Sequence, residues 1–170
     1  MTTPTALTSL FNYKAWANAQ LFAELHKVDA TQHEEPRHAA IRLLNHIHVV
    51  DGIFAAHLSG RDHAYTATNT TDTPTLEELH FAVAERDAWY VQFVSTLSAA
   101  ALAEHVSFTF TDGLHGTMTR EEMLIHVSMH GAYHRGAVGR IMAQTGTPPP
   151  RDLMTIYLHT AEPERRITRK

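Results

Sequence analysis

The sequence predicts an all-α fold: a four-helix bundle with a small hairpin inserted between the third and fourth helices. Three observations lead there. Four stretches of roughly 20 to 25 residues carry apolar side chains at the three- and four-residue spacing that buries one helical face. The connections between them are mostly polar, so each stretch can turn back on its predecessor. Residues 105–118 break the helical rhythm and alternate apolar with polar residues instead.

The first helix runs from about Pro4 to Lys27. Proline suits a first-turn position, and Leu7, Leu10, Phe11, Trp16, Leu21, Phe22 and Leu25 follow at helical spacing. Residues 28–36 are polar, end in Pro36 and read as a connection. The second helix spans about Arg37 to Leu58, with Ile41, Leu44, His46, Val49, Val50, Ile53 and Phe54 inward and Gly60 as its stop. Residues 61–74, rich in Thr, Asp and His, read as an exposed loop. Pro74 introduces the third helix, about Thr75 to Leu97, which turns Leu79, Ala82, Val83, Trp89, Phe93 and Val94 to one side. Val106, Phe108 and Phe110 then alternate with Ser107 and Thr109, and Asp112-Gly113 supplies turn chemistry, which gives the hairpin. Thr119 and Glu122 have the spacing of a capping box and open the fourth helix, which Gly146 and the prolines at 148–150 close. A short helix is expected over about Arg151 to His159. One domain, residues 1–160, is expected, with 161–170 as a frayed tail.

Composition narrows the function. A chain of 170 residues with 44% hydrophobic and 19% charged residues can bury a core, so it is not a disordered segment. A formal charge of -4 gives no electrostatic basis for nucleic-acid binding. The absence of cysteine excludes disulfides, thiolate zinc sites and a protein thiol nucleophile. The amino-terminal residues lack a basic region followed by an apolar core, and no apolar run approaches the ~20 residues of a membrane span, so a cytoplasmic domain is expected.

The unusual figure is 14 histidines. A mononuclear metal site needs only three or four ligands, so spacing has to separate ligands from surface residues. The fourth helix contains HVSMHGAYHRGAVGRIMAQTG, residues 126–146, with His126, His130 and His134 four residues apart. A step of four stacks side chains one turn apart, roughly 6 Å along the axis, and two such imidazoles can converge on one ion. Three in line span roughly 12 Å, too far for ~2.0–2.1 Å bonds to a single ion. The helix therefore offers two ligands at most. His130 and His134 share a stripe with Met123, Val127, Ala137 and Ile141 and point inward, either as ligands or as hydrogen-bonded core histidines. Candidates for a third ligand on the second helix are His46, His48, His57 and, as an oxygen donor, Asp51. His46 shares its stripe with Val50, Ile53 and His57, whereas His48 lies about 200° away and reads as a flank. His126 could support the site by orienting a ligand.

Several segments resemble the DinB/YfiT-like superfamily, the metal-dependent four-helix bundles named after damage-inducible protein DinB. FNYKAWANAQL (11–21) resembles its Tyr-x-x-Trp-Ala-Asn first helix, and LLNHIHVVDGIFAAHLSG (43–60) its Leu-x-His-Ile second helix. The 126–146 stretch resembles its His-x-x-x-His-Arg-Gly helix, and PPPRDL (148–153) the proline-rich segment that follows. Ala137, where Gln is frequent, and Gly52, where a larger residue is common, depart from the pattern without touching a ligand. The resemblance implies metal ligands at His46, His130 and His134, with open positions on the ion, and a divalent transition metal: Zn or Ni first, with Fe, Mn or Cu as alternatives, imidazole suiting Zn, Ni, Cu and Fe alike. It implies a transferase-like reaction in which a metal-activated low-molecular-weight thiol attacks an electrophile. The rivals are a metal-dependent hydrolase and a non-catalytic metal- or small-molecule-binding bundle. Expected partners are a small-molecule substrate and a second copy in a homodimer, with no nucleic acid and no membrane. Asp51, His126 and Tyr133 are candidate catalytic proton handlers, with Asp51 otherwise a solvated helix residue. Arg135, beside a ligand, could hold an anionic substrate group or pair with a carboxylate at the helix surface.

Overall fold

The computed structural model describes residues 5–167, so the expected start at Pro4 and the last three tail residues lie outside the described residues. The chain folds as α1 (Thr5–Leu25), α2 (Glu34–Leu58), α3 (Leu76–Thr96), α4 (Ala99–Leu102), β1 (His105–Thr109), β2 (His115–Thr119), α5 (Arg120–Gln144) and α6 (Met154–Ala161). It is predominantly helical, as expected. The long helices pack pairwise: α2 lies along α5 and α3, and α1 along α3 and α5. Among the described residues no helix is long and apolar enough to cross a membrane.

Most boundaries follow local chemistry. Thr75 and Thr119 cap α3 and α5 through reciprocal boxes with Glu78 and Glu122. The hairpin pairs Val106 with Met118 and Phe108 with Gly116, and Gly113 adopts φ 88° at its turn, a conformation that costs glycine little. Phe108 points inward and is buried. α2 differs from expectation. It begins at Glu34, so Pro36 lies inside its first turn rather than closing a connection. The first four N–H groups of a helix have no internal partner, so the missing proline N–H costs nothing there. Glu34 and Glu35 also favour the positive end of the helix dipole.

Two further details depart from the sequence reading. α4 is an unforeseen single turn capped by the Ser98 side chain. On α3 the inward aromatic is Tyr90, fully buried, while Trp89 and Phe93 pack only partly against the core. Tyr90 stacks on Phe11 at 5.1 Å and donates its hydroxyl to the Asp51 carbonyl at 2.7 Å. A phenol that satisfies its polar end can go deeper than an indole at the neighbouring position.

The core divides into two apolar clusters. One gathers Phe11, Val50, Phe54, Tyr90, Val94, Leu124 and Val127. The other gathers Leu21, Phe22, Ile41, Leu44, Leu79, Val83, Val138 and Met142. Between them, at mid-height, each long helix contributes buried polar residues: Lys14 and Asn18 from α1, Asn45 and Asp51 from α2, Asp87 from α3, Ser128 and Arg135 from α5. The candidate site lies in the same stretches of α2 and α5.

Candidate metal centre

α2 supplies His46 and α5 supplies His130 and His134. The i, i+4 spacing puts the α5 pair one above the other, and packing of α2 along α5 brings His46 opposite them. The ring centroids of His46 lie 4.9 Å from His130 and 4.8 Å from His134, and those of the α5 pair lie 4.5 Å apart. One ring nitrogen from each falls within 4.8 Å of the other two. The closest approach is 3.0 Å, between His46 Nε2 and His130 Nε2. Ligand nitrogens at ~2.0–2.1 Å from a tetrahedral ion stand roughly 3.3 Å apart, so this spacing suits a shared ion. All three residues are half-buried, which leaves one side open.

At His130 and His134 the electrostatics favour the neutral imidazole, the form that ligates. Burial, then the neighbouring histidines and the buried Lys14 ammonium, push His130 down to about 3. His134 is lowered by burial and by His46. His130 Nδ1 is buried without a hydrogen-bond partner, a costly arrangement in a merely structural histidine. The Thr68 carbonyl sits 2.7 Å from His46 Nδ1. That contact fixes the proton on Nδ1 and leaves Nε2 unprotonated towards the other rings. The donor set and its spacing fit a divalent transition metal.

The remaining candidates take different places. His126 is exposed, stacks on Phe54 at 4.7 Å and lies 5.6 Å from the His130 ring. Tyr133 is 77% exposed and stands edge-on to His134 at 5.1 Å. Asp51 is not a solvated residue: it is 2% exposed, and its Oδ2 lies 2.7 Å from Lys14 Nζ. Arg135 is not at the surface either. It is 3% exposed, and its Nε donates to Asp152 Oδ2 at 2.7 Å, so the carboxylate from the proline-rich segment occupies it. His48 lies off the site, beside a cleft of about 940 Å³ lined also by Asn45, Tyr65 and Thr70; none of the three converging histidines lines that cleft. Gly52 lets the loop ring of Tyr65 close over α2, because a Cβ there would stand 2.9 Å from it.

Beneath the site lies a buried ionic network absent from the sequence reading. Lys14 Nζ bridges Asp51 and Asp87, each at 2.7 Å, and Asn18 donates to Asp87 at 2.7 Å. Burial lowers the pKa of Lys14, but the two carboxylates outweigh it and the group ends raised, hence cationic. The signal was present: Lys14 and Asn18 interrupt the apolar stripe of Phe11, Leu21 and Leu25, and Asp87 that of Val83, Tyr90 and Val94.

These shifts predict a pH dependence for the metal-free protein. His48, lowered to about 4 by burial and then Arg86, and His130, lowered to about 3, stay neutral when folded but titrate near ~6.5 when unfolded. Below that value the unfolded chain binds more protons, so their contribution is present above ~6.5 and falls with pH. Urea midpoints of metal-free protein are expected to decline from pH 7 to pH 5. The slope should flatten in a His48→Gln, His130→Gln double variant. A midpoint independent of pH over that interval would contradict the burial of these rings.

The fold and site together define a helical protein with a three-histidine group that could hold a metal ion. The profile of the DinB family matches residues 1–166, and the chain belongs to the DinB family. It is similar to Protein DinB of Bacillus subtilis (strain 168), at 23% identity over 169 residues, covering 92% of this chain and 95% of that protein. No solved structure matches.

Proposed function

We propose that the protein is a metal-dependent four-helix-bundle enzyme of the thiol-transferase type, with His46, His130 and His134 as ligands. The observation that carries this reading is the convergence of three imidazoles from two helices on one open-sided point, with His130 and His134 held towards the neutral form. Three protein ligands with an open side suit catalysis better than a closed structural site. Bound there, a divalent transition metal supplies Lewis acidity, lowering the pKa of a thiol or water ligand. The chain's own residues then orient and handle protons. The sulfur of a low-molecular-weight thiol forms a bond to an electrophilic carbon, whose leaving group departs with the bonding electrons. The S–H proton passes to His126, whose pKa is lowered by partial desolvation of its ring and which lies beside His130. In this scheme Tyr133, exposed beside His134, donates a hydrogen bond to the leaving group. Asp51 is committed to Lys14, so it serves as a structural counter-ion in this scheme.

The test is turnover of purified, zinc- or nickel-loaded protein with small thiols and alkylating or epoxide electrophiles, followed by mass spectrometry of the thioether. Metal-dependent product is expected, with about 10²-fold less in His126→Ala if it carries the proton. Stoichiometric metal binding with no product from any thiol, and none by hydrolysis of activated esters or amides, would replace this reading with a non-catalytic metal-binding bundle.

A further inference from the structure

Residues 59–75 form the longest irregular connection between described helices, and long connections without secondary structure are often functional. This one is tied to α2 at a single height. Asn45 Nδ2 donates to Asn69 Oδ1 and to Thr70 Oγ1, both at 2.6 Å. Asn69 Nδ2 donates to the Arg42 carbonyl at 3.0 Å, and Arg42 Nη1 donates back to the Thr70 carbonyl at 2.7 Å. Asn69 Oδ1 also accepts from the Thr70 N–H at 3.0 Å. The preceding residue, Thr68, is thereby left with its carbonyl 2.7 Å from His46 Nδ1.

We propose that Asn69, anchored by Asn45, is the positioning residue of the histidine site. It registers the loop so that the Thr68 carbonyl holds His46 in the tautomer and ring orientation that leave Nε2 free for a metal ion. The purpose of this arrangement rests on the metal-binding reading above; its geometry does not. A carbonyl can only accept, so Nδ1 must carry the proton, and Nε2 then presents its lone pair 3.0 Å from His130 Nε2. An asparagine suits the task because one amide offers both the acceptor for Asn45 and Thr70 and the donor for Arg42. Aspartate would turn an oxygen towards the Arg42 carbonyl and oppose it. Thr68 acts through its backbone, so selection of its register falls to its neighbour's side chain.

The test starts with metal-free protein, in which long-range ¹H–¹⁵N correlation spectra report the tautomer of each histidine ring. Wild type is expected to show His46 protonated on Nδ1. Asn69→Ala should convert it to a mixture of tautomers, leave His134 unchanged, and weaken zinc binding by about 10- to 100-fold in a competition titration. Asn69→Asp should behave like Asn69→Ala, and Thr71→Ala, in the same loop but outside the network, like wild type. Should Asn69→Ala lose helical circular dichroism, Asn45→Ala removes the same tie from the helix side and is read in its place. The proposal is overturned if His46 keeps a single Nδ1–H tautomer and unchanged zinc affinity in the variant read. It is equally overturned if Thr71→Ala produces the same losses. A wild type that binds no zinc would defeat the functional reading alone, since the tautomer comparison on metal-free protein would still decide the role of Asn69.

Discussion

His130→Ala is expected to lose metal binding almost completely, with affinity falling on the order of 10²- to 10³-fold if the ligands share the binding energy about equally. His46→Ala and His134→Ala should fall in the same range. His33→Ala, at the start of α2 and outside the cluster, should keep wild-type occupancy. The comparison is most telling at His130 because its effects on metal and on stability separate. Its ring meets His46 through Nε2 and leaves Nδ1 buried without a partner. Alanine there should remove the ion while changing the urea midpoint of metal-free protein at pH 7 only modestly and flattening its decline towards pH 5. Elemental analysis of protein purified without an affinity tag, together with competition titration, measures the first effect. Equal metal content in all four variants would reject the ligand assignment.

The largest stability effect is expected from Lys14→Met. Lys14 is 1% exposed and is the shared cation of Asp51 and Asp87. Removing it leaves two buried carboxylates facing one another with only Asn18 to donate to one of them. Breaking a buried ion pair from one side costs about 3–5 kcal/mol, because the remaining charge keeps its desolvation penalty. Urea denaturation at pH 7 should show a loss of that order. The sign of its pH dependence is fixed as well. Uncompensated buried carboxylates have raised folded-state pKa values, so the unfolded chain releases their protons more readily, and the deficit should shrink as pH falls from 7 towards 5. Adding Asp51→Asn and Asp87→Asn to Lys14→Met should recover most of the lost stability, since the cost lies in the unpaired charges. A Lys14→Met variant as stable as wild type would mean the network is not buried as described.

This network also explains a difference between the two kinds of residue in the site. His46 was legible because its stripe on α2 points the same way as Val50 and Ile53, and His130 and His134 because a spacing of four aligns them on one helix. The sequence left the place of Asp51 open, as ligand, proton handler or solvated residue, because its own helix gives no sign of its partner. The cation it meets is on α1, and Asp87, which completes the triad, is 73 residues from Lys14. Arg135 is a similar case: a charged residue on a helix reads as surface until the proline-rich segment folds back and presents Asp152.

By itself the sequence determined what depends on neighbours along the chain: the apolar stripes of the long helices, the capping boxes at Thr75 and Thr119, the hairpin turn at Gly113, and the pairing of His130 with His134. Tertiary structure alone decided which groups meet across helices. It set His46 Nε2 against His130 Nε2 over 84 residues, aimed the Thr68 carbonyl at His46, and sank Lys14 between two aspartates. The physical reason is range. Helix periodicity and capping are settled within a few residues, whereas a buried charge or a ring tautomer takes its energy from whatever packing places within about 3 Å of it.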